Sequence, residues 1–251
     1  EALRLHGQGG HFVGLCNYPL TLKMKVAEAL RVNEATVELA YFGLNHLSWA
    51  RVLVGGVDLT DDLLEIMITE PAWRDLTGYA FDPDYLRNVG LVPSGYLRYY
   101  VDTERMVQEL LAAPKSRAER VQEVEEGLLA QYADPLLTTK PPELQERGGA
   151  WYSTAAVRLL RDLWSDTGGV HILNVPNEGA LAMLPPDVVV ETPAQVRRGA
   201  ITTLPTVEYL DTRPRVAGYP VPPAVEELIR RVKAYELQAV AAAVTGDRTA
   251  A

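Results

Sequence analysis

Apolar residues recur at helical spacing through LTLKMKVAEALRV (20–32), at Leu20, Met24, Ala27 and Leu30, and predict the first helix. Asn33 followed by Glu34 is a cap for a second short turn. TVELAYFGLNHLSW (36–49) is strand-like, with a turn expected at Gly43. ARVLVGGVDLT (50–60) predicts two short strands joined at Gly55-Gly56, a hairpin signal. A helix is expected over 58–68, and EPAWRDLTGYAFDPDY (70–85) is loop-rich. SGYLRYYVDTERMVQELLA (94–112) carries Leu97, Val101, Met106, Leu110 and Leu111 at helical spacing, entered through Pro93 and capped by Ser94. A charged helix follows over 115–133, with an apolar stripe at Val121, Val124, Leu128 and Leu129 and a solvated Glu/Arg face. Residues 138–149 predict a loop and 151–164 an amphipathic helix. Residues 170–204 alternate β-rich runs with Pro and Gly turns, and 222–246 predict one long helix between Pro and Gly246. Strands and helices without regular βα alternation predict an α+β fold, a mixed antiparallel sheet packed with several helices, in one domain spanning 1–251.

Composition narrows the function. At 251 residues and 47% hydrophobic, the chain can bury a sizeable core. A formal net charge of -9 argues against general nucleic-acid binding, which needs clustered Lys and Arg. No apolar run approaches a membrane span. One cysteine, and an opening EALRLHGQGG without a basic start or apolar stretch, predict a reducing, cytoplasmic setting. EALRLHG reads as the last turns of a helix closed by Gly7, which together with the missing initiator Met predicts a piece of a longer chain. GQGG (7–10) does not complete the dinucleotide fingerprint GxGxxG, and no strand precedes it.

Candidate chemistry starts at VGLCNYP, which holds Cys16. A lone cysteine is buried filler, a nucleophile or a metal ligand, and free Cys is among the most buried residue types. GLNHLSW places His46 after a similar apolar stretch; its bland role is a hydrogen-bonded core histidine. A thiolate with an imidazole suits Zn, Mn, Fe or Co. Two ligands are too few for a structural zinc site but leave positions open, as a catalytic metal requires. A Cys–His nucleophile pair competes with that assignment. PSGYLRYY offers Tyr96, Tyr99 and Tyr100 as aromatic packing or as a tyrosine base, with Arg98 beside them. In RGGAWYS, Arg147 precedes a Gly pair and a helix, which suits a contact to an anionic or hydroxyl-rich ligand as well as a surface loop.

The ordered series VGLCNYP, GLNHLSW, PSGYLRYY, RGGAWYSTAA and ILNVPNEGALAMLP resembles glycoside hydrolase family 4 over most of residues 1–245. The resemblance implies a C-terminal domain of the lactate-dehydrogenase-like type and NAD- and metal-dependent 6-phospho-β-glucosidase activity. Cys16 and His46 match the residues that hold a divalent ion, usually Mn2+, and Tyr96 matches the base, with Tyr99 and Tyr100 as fallbacks. Asn17, where α-type members tend to carry Asp, looks like the β-type pattern; Asn17, Asn45 and Arg147 are the implied substrate-side residues. The implied cycle is oxidation at C3 by NAD, deprotonation at C2 and elimination, which needs no general-acid and nucleophile carboxylate pair. The resemblance also implies a preceding dinucleotide-binding domain, absent from this chain and carrying most of the NAD site, an inactive isolated fragment, and a homo-oligomer. Two alternatives stand beside it: half of an NAD-dependent hydroxyl dehydrogenase, and a non-catalytic module for sugar-phosphate binding or assembly.

Overall fold

The computed structural model describes residues 13–147, 151–210 and 213–246. The helix end expected at 1–7 lies outside the described residues. Helix α1 spans Tyr18–Ala29, with Pro19 in its first turn, where its missing N–H costs nothing. Its buried face is Leu22, Val26 and Ala27, whereas Leu20 and Met24, expected in the stripe, are half-buried. The chain leaves the helix through Arg31 in the left-handed region, and Asn33 caps a 3-10 turn, Glu34–Thr36, by accepting the Ala35 N–H.

Strands β1 (Val37–Leu44), β2 (Leu47–Val54) and β3 (Val57–Asp58) form an antiparallel meander. The β2–β3 turn falls at Gly55-Gly56 as predicted. The first turn corrects the expectation: it lies at Asn45-His46, and Gly43 sits inside β1. Gly43 has φ +141°, and a Cβ there would come within 2.3 Å of the Leu47 carbonyl oxygen, so glycine serves a close strand approach and not a turn.

Helix α2 (Thr60–Thr69), helix α3 (Pro83–Val89) and strand β4 (Val92–Pro93) follow. The segment 94–112, read as one helix, is three pieces: a 3-10 turn Gly95–Leu97 capped by Ser94, α4 (Arg98–Val101) and α5 (Thr103–Ala112). The break falls at Asp102, whose carboxylate accepts the Tyr79 hydroxyl at 2.5 Å. Helix α6 (Arg117–Tyr132) opens with a Ser116/Glu119 capping box, and a short helix α7 (Leu144–Arg147) replaces part of the expected loop. Helix α8 (Tyr152–Ser165) leads into strands β5 (Val170–Pro176), β6 (Val189–Arg197) and β7 (Ala200–Thr203). A small sheet of β8 (Val207–Leu210), β9 (Arg213–Val216) and β10 (Tyr219–Pro220) precedes α9 (Pro223–Thr245), which ends at left-handed Gly246.

The main sheet runs β3-β2-β1-β6-β5, with β4 on β2 and β7 on β6. Its strand pairs are antiparallel, so the fold is α+β as the element order predicts. The larger core cluster packs Tyr41, Phe42, Trp49 and Val52 of the sheet with Val26, Leu63, Met67, Leu97 and Ile229. A smaller one gathers Leu159, Leu173, Val175, Ala194 and Val196 between α8 and β5–β6. Among the described residues no helix is long and apolar enough to cross a membrane.

One register row positions the site. Ser48 pairs with Gly43, Gly43 with Glu191, Glu191 with Asn174, and Asn174 with Gly14. The row crosses the sheet just below the Asn45-His46 turn and brings the segment before Cys16 to the same level.

Candidate active site

The turn between β1 and β2 has two residues, and such a turn needs φ > 0 at one of its central positions. His46 takes it, at φ +66°, a conformation uncommon outside glycine. The strained position holds the imidazole against Tyr96, with ring centroids 3.9 Å apart and planes within 3° of parallel. Tyr96 is held from a second side by Tyr18, whose ring meets it edge-on at 6.2 Å. The Tyr18 oxygen accepts the Gly95 N–H at 3.2 Å and donates to the Thr77 carbonyl at 3.4 Å. Gly95 is required here, since a Cβ would lie 2.2 Å from the Thr77 oxygen. Tyr18 therefore fastens the turn that carries Tyr96 to the segment that carries Cys16 and Asn17.

Asn17, His46, Tyr96 and Arg147 line one cavity of about 610 Å³, together with Arg117, Glu125 and Tyr152 and an apolar wall that includes Leu128 and Leu129. Four of the predicted site residues thus meet in space. Arg147 stands 3.7 Å from Glu125, and Arg117 donates to the carbonyls of Glu146 and Arg147 at 2.9 and 3.4 Å, which ties α6 to α7. Part of the charged run of α6, expected to be wholly solvated, therefore faces the cavity. Two guanidinium groups against one carboxylate leave it net positive. Tyr99 and Tyr100 are exposed and do not line it; Tyr99 accepts from Arg98 at 3.0 Å.

Cys16 and Asn45 are placed differently. Cys16 is 4% exposed and lies beside the cavity without lining it; it borders a second cavity of about 750 Å³ instead. The Glu191 carboxylate and the Asn45 side chain lie near its thiol, and Asn45 does not line the first cavity. Burial, and then the Glu191 charge, push the thiol up to about 12. A thiol so strongly protonated is no nucleophile, which weighs against the Cys–His nucleophile pair. Burial also lowers the His46 pKa, so its imidazole is neutral near pH 7 and keeps a lone pair for a metal.

Glu191, missed in the sequence, is fully buried in β6. Burial pushes its carboxyl up to about 7 against the bonds it accepts from Tyr41 and Asn174 and the nearby Cys16 thiol and His46 backbone N–H. The available signal was an acid inside the apolar run VVVETPA, since Asp and Glu rarely enter a core unpaired. Tyr18 and Tyr152 were also missed, though both lie in quoted motifs. The Tyr152 phenol is shifted up by burial and then by Cys16, Tyr96 and Glu191.

The donor set fits a divalent ion. Sulfur and imidazole nitrogen suit a borderline-soft metal, and the thiol would release its proton on binding. Among the described residues no three His, Cys, Asp or Glu side chains cluster to hold an ion, so a closed structural site is not built there.

The antiparallel sheet with flanking helices and the cavity of Asn17, His46, Tyr96 and Arg147 define a class, an α+β domain with a polar cavity at the hairpin edge of its sheet. Residues 41–251 match the family described as the C-terminal domain of family 4 glycosyl hydrolases. A probable 6-phospho-β-glucosidase of Bacillus subtilis is 36% identical over a 256-residue alignment, covering 98% of this chain and 55% of the relative. The 6-phospho-β-glucosidase BglT of Thermotoga maritima is 36% identical over 208 residues, covering 81% of this chain and 48% of the relative. The solved structure of the 6-phospho-β-glucosidase from Thermotoga maritima with manganese, NAD+ and glucose 6-phosphate superposes with a TM-score of 0.81 at 32% identity, covering 99% of this chain and 55% of that one. The chain belongs to glycoside hydrolase family 4. It spans about half the length of the curated relatives it matches.

Proposed function

We propose that this chain is the metal- and substrate-binding part of an NAD- and divalent-metal-dependent 6-phospho-β-glucosidase. The convergence of Asn17, His46, Tyr96 and Arg147 on one cavity carries the proposal. When bound, NAD+ supplies reversible oxidation at C3 of the sugar and a divalent ion, Mn2+ or a similar metal, supplies Lewis-acid polarisation of a sugar oxygen.

Cys16 and His46 would hold the ion. As the phenolate, Tyr96 takes the C2 proton, which a C3 ketone acidifies; the aglycone departs from C1 by elimination, water adds across the C1–C2 double bond, and the C3 carbonyl is reduced again. Stacking on His46 and the edge contact with Tyr18 keep that phenol fixed, so little orientation is lost at the proton transfer. Arg147 and Arg117 receive the anionic, hydroxyl-rich ligand, with Glu125 holding Arg147 in place. Asn17 offers its amide to a sugar hydroxyl, and Asn45 steadies the Cys16 sulfur. The retained proton on Cys16 makes metal loading pH-dependent, since binding must displace it.

The deciding experiment is calorimetric titration of Mn2+ into this chain under reducing conditions. Binding is expected in the wild type and lost in both Cys16→Ser and His46→Ala. A wild-type Mn2+ affinity that survives both substitutions would overturn the proposal.

A further inference from the structure

Glu191 has no part in the chemistry above, yet it is fully buried. Its Oε2 accepts the Tyr41 hydroxyl at 3.0 Å, and that hydroxyl also meets Ser48 Oγ at 2.5 Å. Its Oε1 accepts from Asn174 Nδ2 at 3.4 Å. The Cys16 thiol and the His46 backbone N–H also lie close enough to the carboxylate to act on it. The last two partners come from the two segments that carry the candidate metal pair, 30 positions apart in the sequence.

The register row explains how one residue reaches both. On one side Glu191 pairs with Gly43, three residues before His46. On the other it pairs with Asn174, which exchanges backbone hydrogen bonds with Gly14 at 3.1 and 2.9 Å, two residues before Cys16. The strands bring the segments to either flank of β6, and the side chain closes the gap between them. Packing alone does not call for an acid here, because an apolar residue of similar volume fills a core at lower desolvation cost.

We propose that Glu191 is a positioning residue: through its carboxylate it binds the Cys16 segment to the Asn45-His46 turn and pre-organises the thiol and imidazole for one divalent ion. This rests on the assignment of Cys16 and His46 as the metal pair. Partners behind metal ligands typically set affinity by about 10- to 100-fold.

The test uses Co2+ as the probe on the 251-residue chain under reducing conditions, with the thiolate-to-cobalt charge-transfer band reporting Cys16 ligation. Glu191→Gln keeps size and one acceptor. It is expected to weaken Co2+ binding by about 10-fold or more and to reduce the thiolate band per bound cobalt, with circular dichroism unchanged. Loss of folded protein alone would not change the spectrum per bound ion. Tyr41→Phe, which removes only a hydroxyl that orients Oε2, is expected to shift affinity and band in the same direction by less, and it decides the matter if Glu191→Gln does not fold. Wild-type affinity and spectrum in the decisive variant, with binding lost in Cys16→Ser and His46→Ala, overturns the role of Glu191 alone. Co2+ binding that survives Cys16→Ser and His46→Ala overturns the metal-pair assignment, and the role of Glu191 with it.

Discussion

Tyr96 differs from its two neighbours by contacts and not by residue type. All three tyrosines lie within five residues and are exposed to a similar degree, but Tyr96 has a histidine on its face, a tyrosine on its edge and a cavity before it, whereas Tyr99 and Tyr100 line neither cavity. A positioned proton acceptor contributes about 100- to 10,000-fold to a rate. In the assembled enzyme, Tyr96→Phe is therefore expected to lower kcat for a chromogenic 6-phospho-β-glucoside by about 100-fold or more. Tyr99→Phe and Tyr100→Phe are expected to stay near wild type in the same assay, and a large loss in either one in place of Tyr96 would move the base. The sequence narrowed the choice to three because PSGYLRYY offers the right residue repeatedly. The ordered motifs put Tyr96 first and kept the other two as fallbacks, because the contacts that set Tyr96 apart come from Tyr18 and His46, far along the chain.

At the scale of elements, the β1–β2 hairpin is open to disruption by a single backbone change. Gly43→Ala puts a Cβ against the Leu47 carbonyl oxygen, and backbone there cannot move without disturbing the turn that presents His46. Strain at such a position costs on the order of 1–3 kcal/mol before the clash is counted. Urea unfolding of Gly43→Ala is expected to show a loss of about 3 kcal/mol, with weaker metal binding in whatever remains folded. A second contact fixes α8 to β5: Asp162 accepts from His171 Nε2 at 2.8 Å and from Arg161 at 3.1 Å. Burial pushes the Asp162 carboxyl up, but bonds from His171, Thr167 and Arg161 outweigh it and leave it below the usual value. A depressed carboxyl stabilises the fold above the unfolded carboxylate pKa of about 3.9, and the contribution is lost as pH falls through the folded value. The urea midpoint of Asp162→Asn should thus depend less on pH below about 4 than the wild type. Equal acid limbs would remove Asp162 from the account. Both contacts join residues from different elements, so hydrophobic spacing signalled neither; it marked where α8 and β5 begin.

For the whole molecule, the proposed metal pair links ion binding to folding. An ion that binds the folded state and not the unfolded chain adds about 2.7 kcal/mol at 100 times Kd. For a domain of this size each kcal/mol moves Tm by about 2–4 °C, so saturating Mn2+ is expected to raise Tm by roughly 5–10 °C. Differential scanning calorimetry of the wild type and Cys16→Ser, each with and without Mn2+, checks it; an equal rise in both places the ion elsewhere. Arg51 links the two sheets from the middle of β2: its Nε meets Asp58 at 2.6 Å, and its guanidinium lies 3.4 Å over the ring of Tyr219 in β10. Helix α8 exposes Val157, Leu160 and Trp164 at i, i+3 and i+7, a stripe the periodicity of 151–164 marked as apolar without saying what it faces.

By itself the sequence determined the type of most of the longer elements, though not α3, α7 or β8–β10, and most of the residues able to do chemistry. Hydrophobic period, Pro and Gly placement and capping residues are local quantities, and they read correctly at the Asn33 and Ser94 caps, the Gly55-Gly56 turn and the Gly246 stop. The ordered motifs also marked Cys16, His46, Tyr96, Asn17 and Arg147 as a set. Only the tertiary structure decided how the set is arranged. It moved the hairpin turn from Gly43 to Asn45-His46, buried Cys16 beside the cavity, left Asn45 out of its lining, and supplied Glu191 and Tyr18. The physical reason is register: which residue of β6 faces Gly43, and which of β5 faces Glu191, follows from the pairing of strands remote in sequence, and no local pattern encodes that.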